Sequence, residues 1–301
     1  MLSDWLQGIE GTPLGAQVAL VLALTAALLH AVFGALQKGR HDPLLARGAI
    51  DASYGLMAAP VALFVVPWPE PHMWPIFAGA FGIHAAYKWA VLGAFRRGAF
   101  TVVYPVMRGT GPLFTVIGAS VLFDERYSLG QWLGIAVLLA GLYGLAAYNM
   151  ARVTLARDTL VAALWWAVLT GMFVALYTTF DAYGIRATAD PFTFLAWFFF
   201  LDGMLYPVLA ARFYRRMEQP PSLAPLALRG LFGGVVAFAS FGSIMLATRL
   251  DQVGEAAVLR ETSTVFAALI GWLFLRETVG PVRLALMALI AAGAVIVEAA
   301  G

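Results

Sequence analysis

The stretch from Ala94 to Ala147 occurs twice. Moved 152 positions along the chain, it falls on Leu246 to Ala299 without a gap, so that Arg97 meets Arg249, Arg108 meets Arg260, Thr110 meets Thr262, Phe114 meets Phe266, Glu125 meets Glu277 and Gly141 meets Gly293. Matches of apolar on apolar carry little weight. The two arginines Arg108 and Arg260 carry more, because each interrupts a long apolar run at the same depth. Self-similarity over a fixed long period points to an architecture of two related halves, here residues 1–150 and 151–301.

The medium follows from the charge content. Only 12% of residues are charged against 61% hydrophobic, and the mean hydropathy is +0.82. A soluble domain carries about 25% charged residues, so this chain cannot clothe itself for water and reads as a polytopic membrane protein. Continuous apolar runs of roughly 20 residues fit spanning helices rather than the alternating segments of about ten residues found in a barrel. Ten such runs are expected, near 15–37, 44–66, 74–95, 99–123, 129–148, 159–184, 191–211, 224–248, 253–275 and 280–299. The polar first fourteen residues lack the basic region of a cleaved signal peptide.

Five spans per half is an odd number, so corresponding helices must cross the bilayer in opposite senses. The expected fold is therefore all-α, with ten transmembrane helices in two inverted five-helix repeats around a central cavity. Two further matches agree: Asp42–Pro43 and Asp190–Pro191 each precede a span, and Pro60 and Pro207 each lie within one. Orientation follows the excess of Lys and Arg in short loops. Lys38, Arg40, Arg47, Arg96, Arg97, Arg152, Arg157, Arg212, Arg215 and Arg216 fall in the odd-to-even connections, whereas the other side carries mainly Arg126, Arg186 and Arg249. Both termini are thus expected outside.

Charge at the bilayer centre costs roughly 2.5–3.5 kcal/mol on insertion scales, so each buried charge needs a role. In the third span His84 and Lys88 stand four apart, on one helical face, with Tyr87 beside them. Lys88 there either holds a substrate carboxylate or snorkels to the interface. In the fourth span Tyr104, Pro105, Arg108, Gly109, Thr110, Gly111 and Pro112 crowd together, a composition that should kink or unwind the helix. Arg108 and Thr110 would then sit where a carrier puts its site, unless Arg108 is a structural cation paired across the bundle. The ninth span holds Glu255, Arg260 and Glu261, and Glu261 can bridge to Arg108 across the axis relating the halves. Asp51, Asp181 and Asp202 are single acids in spans two, six and seven. Each either carries a proton or bonds a local hydroxyl. Trp165, Trp166 and Tyr177 are candidate cavity walls.

Absent chemistry excludes several classes. Without cysteine there is no disulfide, thiol nucleophile or thiolate metal site. The sequence shows no phosphate-binding glycine loop, zinc-protease histidine pair or nucleophile elbow. Four histidines without ligand spacing argue against metal or haem, and scattered basic residues argue against nucleic acid. No cofactor is expected, the partners expected are a small-molecule substrate and the bilayer, and the chain is compatible with a monomer.

The duplicated segment resembles the EamA-type branch of the drug/metabolite transporter superfamily. The residues that carry the resemblance are Gly98 and Ala99 opening the fourth span, Pro112-Leu-Phe in its middle, Leu122-Phe-Asp-Glu125-Arg at its exit, then Gly134 and Gly141. In the second copy they are Leu275-Arg-Glu277-Thr and Gly293, with Thr264 in place of the middle proline. The resemblance implies a bacterial inner-membrane carrier with a central cavity, working without ATP. The basic, aromatic third span looks most like the amino-acid exporters of that branch. On this reading Lys88, Arg108 or Arg260 receives a carboxylate, His84, Tyr87, Tyr104, Thr110, Trp165, Tyr177 and Ser240 shape the pocket, and Asp181, Glu255, Glu261, Glu125 and Glu277 serve coupling or gating. An exporter of cationic lipophilic compounds is the alternative, and it needs an acid facing the cavity, Asp181 or Glu255. A membrane-embedded enzyme or sensor needs a convergent catalytic set, which the sequence does not offer.

Overall fold

A computed structural model describes residues 2–37, 42–98, 100–152, 157–275 and 280–301. These form thirteen α-helices: α1 (Leu2–Ile9), α2 (Pro13–Gln37), α3 (Pro43–Phe64), α4 (Met73–Arg97), α5 (Phe100–Leu122), α6 (Leu129–Met150), α7 (Arg157–Ala187), α8 (Pro191–Asp202), α9 (Leu205–Tyr214), α10 (Leu223–Leu250), α11 (Val253–Arg260), α12 (Ser263–Leu275) and α13 (Pro281–Ala299). Local chemistry starts several of them. Asp42 caps α3, accepting from the Leu44 and Leu45 amides with Pro43 in the first turn. Asp190 caps α8 in the same way, accepting from Phe192 and Thr193 with Pro191 in the first turn. Ser128 and Gln131 form a reciprocal capping box at α6, satisfying two amides that the helix itself cannot pair.

Among the described residues six helical stretches are long and apolar enough to cross a membrane: 13–34, 129–150, 159–187, 191–214, 223–250 and 281–299. The other four expected spans hold buried charge: Asp51 in α3, Lys88 in α4, Arg108 in α5, and Arg260 with Glu261 at the α11–α12 junction. In α3, α4 and α5 the charge lowers the mean apolarity of the helix, whereas the ninth expected span is divided into helices of 8 and 13 residues, each too short to cross alone.

Two expectations about helix continuity are corrected. The fourth span does not unwind, since α5 runs unbroken through Pro105 and Pro112. The break lies in the second copy, where Thr264 stands in place of the proline. There the Glu261, Thr262, Thr264 and Val265 amides each bond the carbonyl three residues back. That tightening separates α11 from α12 and leaves the Arg260 carbonyl free of the helical ladder. The seventh span also divides, between α8 and α9 at Gly203. A Cβ on Gly203 would lie 2.7 Å from the Gly55 Cα and 2.8 Å from the Asp51 carbonyl oxygen, so only glycine lets α3 and this junction approach so closely.

Packing pairs occur in couples that the 152-residue step interchanges. α2 packs on α10 and α4 on α7; α2 packs on α12 and α5 on α7; α6 packs on its own counterpart α13. A Cβ on Gly134 would lie 2.8 Å from the Gly293 carbonyl oxygen, and one on Gly141 would lie 2.8 Å from that of Leu286. Gly141 is the counterpart of Gly293 and Gly134 that of Leu286, so the two contacts exchange with one another. Partner numbers fall along α13 as they rise along α6, hence these two helices run antiparallel. The arginine-bearing helices do likewise: Arg108 meets Glu261, while Val116, two turns further along α5, meets Gly254.

Candidate functional site: a basic cavity closed at one end

A cavity of about 290 Å³ opens between α2, α3, α4, α5, α7 and α10. Its walls are Tyr87, Tyr104, Tyr177, Phe33 and Phe241, and its polar lining is basic, with His30, Arg47, Lys88, Arg108 and Arg229. No carboxylate is among the described residues that line it. Pro43, Arg47, Gly98 and Arg229 in its lining lie at or near helix ends on the side of the odd-to-even connections, so the cavity reaches that end of the bundle and its mouth is read there.

Two charge clusters brace this cavity. In the first, Lys88 Nζ lies 2.7 Å from Asp51 Oδ2, 2.9 Å from both carboxylate oxygens of Asp202, 3.0 Å from the Tyr54 hydroxyl and 3.3 Å from the Asp202 carbonyl oxygen. Arg47 Nε closes the set on Asp51 Oδ1 at 2.7 Å, and the Tyr54 hydroxyl donates to Asp202 Oδ2 at 2.5 Å. Two cations meet two carboxylates, so the group is neutral. Lys88 is 3% exposed and does not snorkel. An ammonium has three protons, and five acceptors already surround this one, so Lys88 has no donor left for a ligand.

In the second cluster Arg108 Nε lies 2.7 Å from Glu261 Oε2. Its Nη2 donates to Ser263 Oγ at 2.6 Å and to the Arg260 carbonyl at 3.2 Å. The side chain thus fills the gap in the broken ninth span and takes the carbonyl that the tightened turn leaves free. Lys88 does the same at the other break through the Asp202 carbonyl. Irregular backbone at membrane depth is tolerated where such partners re-satisfy it. Only Nη1 of Arg108 remains available, facing His30 Nε2 at 3.4 Å within the cavity lining.

The remaining sequence-derived candidates divide. Tyr87, Tyr104 and Tyr177 line the cavity. His84 is buried behind it, its Nε2 2.8 Å from Asp181 Oδ2 and its ring 4.7 Å from that of Tyr177. Four candidates point elsewhere. The Thr110 hydroxyl bonds the Val106 carbonyl of its own helix. Ser240 donates to Ala26 O on α2 at 2.8 Å. Trp165 is 71% exposed on the outer surface, while its neighbour Trp166 packs on Trp89 and under Arg97. Glu255 sits at the far end, 3.4 Å from Gln131 Nε2. Glu277 lies outside the described residues.

Opposite the mouth the bundle is closed. Glu125 accepts from the Val253 and Gly254 amides at 2.7 and 3.2 Å, capping α11 from the other half of the chain. Asp124 before it takes a left-handed φ of 58°, which turns the chain so that the glutamate reaches that helix end. Tyr127 donates to Glu125 at 2.5 Å. Burial and this carboxylate push its phenol well up, so it stays a donor. Arg186 Nη2 lies 3.7 Å from Glu125 and donates to the Asp251 carbonyl. Arg249 bonds the Ile185 and Thr188 carbonyls and pairs with Glu10. The short helix α1 completes the closure through Ser3 on Asp190 and Gln7 on the Ala189 carbonyl.

Sequence reasoning missed Arg47, Arg229, Phe241 and the tie between Lys88 and its two acids. Arg47 was expected in a loop, but it lies inside α3, one turn before Asp51. That i,i+4 pairing of opposite charge in an apolar run was the available signal.

Apolar helices of spanning length, with buried charges largely paired around a hollow, define a multi-pass membrane protein. Residues 17–147 and 161–298 each match the model of the EamA-like transporter family. The chain belongs to the EamA-like transporter family. No curated protein matches it. Solved structures with the same fold include one crystal structure that aligns with a TM-score of 0.76 at 19% identity, over 93% of this chain and 97% of the other.

Proposed function

We propose that the protein is a secondary transporter that exports amino acids or similar small metabolites across a bacterial inner membrane by alternating access. Its halves, 1–150 and 151–301, act as inverted five-helix bundles with ten spans in all. Support for the inversion comes from the exchange-symmetric contacts of α6 with α13 and from the antiparallel course of α5 and α11. The observation that carries the cargo assignment is the donor that Arg108 Nη1 keeps beside His30 in the cavity lining, between aromatic walls and with no carboxylate among the described lining residues. Such a lining favours a carboxylate-bearing cargo with an apolar side chain. It disfavours lipophilic cations, since the acids they would require, Asp181 and Glu255, lie outside it. Arg108 Nη1 and His30 offer the first seat for a carboxylate.

On this reading, supported by the excess of loop Lys and Arg, the mouth faces the cytoplasm, so this conformation loads from there and the Glu125–Arg186–Arg249 closure faces out. A C-terminal reporter should be inactive if it works only in the cytoplasm; activity there would reverse the assignment. For cargo, proteoliposomes should take up labelled amino acids from a twenty-member panel, with competition by other zwitterions and not by quaternary ammonium compounds. Competition by cations alone would overturn the assignment.

A further inference from the structure

Behind the floor of the cavity lies a second, smaller void of about 10 Å³, room for roughly one water. Tyr177 and Phe241 line both spaces and form the partition between them, their rings 6.3 Å apart. The polar lining of the inner void is Thr178, Asp181, Thr248 and Arg260.

Three of these are incomplete. Asp181 Oδ1, Thr178 Oγ1 and Arg260 Nε are buried without a hydrogen-bond partner among the described residues. Their residues are 3%, 5% and 3% exposed. Buried polar groups are nearly always paired, and here three unpaired ones surround a single hollow. Thr248, by contrast, is satisfied by the Met245 carbonyl.

The charge balance sharpens the point. Of the three Lys and Arg side chains buried among the described residues, Lys88 is matched by Asp51 and Asp202, and Arg108 by Glu261. Arg260 alone has no ion-pair or hydrogen-bond partner for its side chain among the described residues. Facing the same void, Asp181 gives one oxygen to His84 and keeps the other free. A hollow with one unmatched cation and one half-used carboxylate is complementary to a zwitterion.

We infer that this void, once Tyr177 and Phe241 move aside and enlarge it, becomes a second station on the transport path, one that reads a zwitterionic head group: the cargo carboxylate on Arg260, its ammonium on Asp181 and Thr178. This rests on the amino-acid reading above. The cargo waits first at Arg108, and displacement of Tyr177 and Phe241 then joins the two spaces. Beyond the inner station the path meets the closed end directly, because Arg186 Nε donates to the carbonyl of Thr248 at 2.8 Å.

The test compares equilibrium binding with counterflow, using the amino acid of the panel that wild type carries fastest, its methyl ester and its N-acetyl derivative. Wild-type protein should carry the zwitterion at least tenfold faster than either derivative. Arg260→Gln and Asp181→Asn should each cut zwitterion counterflow tenfold or more while binding from the cavity changes less than twofold, since the first station is untouched. Thr178→Val keeps the side chain's shape, guards against loss of folding in the charge variants, and should slow counterflow severalfold. Unchanged counterflow in Thr178→Val, or binding lost in step with flux in the variants that fold, overturns the second station and leaves the cargo assignment standing. A wild type that carries no amino acid at all takes down both.

Discussion

Replacing Glu261 with alanine should destabilise the protein by about 3–5 kcal/mol, the usual consequence of stripping one partner from a buried ion pair. Arg108 would keep its place, because Ser263 and the Arg260 carbonyl still hold it, but its charge would lie uncompensated in the middle of the bundle. A large fall in the thermal unfolding midpoint in detergent is the expected readout. The double variant Arg108→Met with Glu261→Met removes both charges and should recover most of that stability, since neutral replacement of a buried pair is often well tolerated. Its transport should nevertheless be lost, because the first carboxylate seat is gone and the Arg260 carbonyl has lost its donor. Full stability in Glu261→Ala would show that the pair is not a structural element. Full transport in the double variant would remove Arg108 from the path.

Lys88→Ala should have an effect of similar size for the opposite reason. Asp51 and Asp202 would be left buried with Arg47 as their only cation, and the Asp202 carbonyl at the α8–α9 break would lose its donor. Loss of about 3–5 kcal/mol is again the scale for one unmatched buried charge. Lys88→Met combined with Asp202→Asn restores neutrality and should regain a well-folded protein. Because Lys88 spends its protons on acceptors already in the structure, that double variant should keep a substantial part of wild-type flux. Flux abolished in a stable Lys88→Met/Asp202→Asn protein would instead make Lys88 a direct ligand of the cargo.

These two clusters show where sequence reasoning stopped. The bridge from Arg108 to Glu261 was legible, because the internal repeat puts Arg108 opposite Arg260 and Glu261 follows immediately. The neutralisation of Lys88 was not. Asp51, Asp202 and Tyr54 come from two other helices, and which helices face Lys88 is settled by packing. Position along the chain likewise could not tell Trp165 from Trp166 or Ser240 from Phe241. Each pair differs by about 100° around its helix, and only the neighbours decide which face is wet, which is buried and which meets lipid.

The helix breaks carry the same lesson with the sign reversed. Proline and glycine in the fourth span suggested a kink or unwinding there, yet α5 runs unbroken and the proline-free ninth span divides. A missing amide proton can be accommodated inside a helix that neighbours hold on all sides. A break needs a partner for the carbonyl it exposes, and Arg108 supplies that partner only at the ninth span.

What the sequence by itself determined was the medium and the plan. Scarcity of charge required a bilayer, the run lengths required helices, and the internal repeat required two related halves. What the tertiary structure alone decided was which buried charges cancel and which remain. Coulomb attraction in a low-dielectric interior depends on a few ångströms between side chains far apart in the chain. Only the folded bundle brings Lys88 and Arg108 to their counter-charges while leaving Arg260 without one, across a hollow from the half-used carboxylate of Asp181.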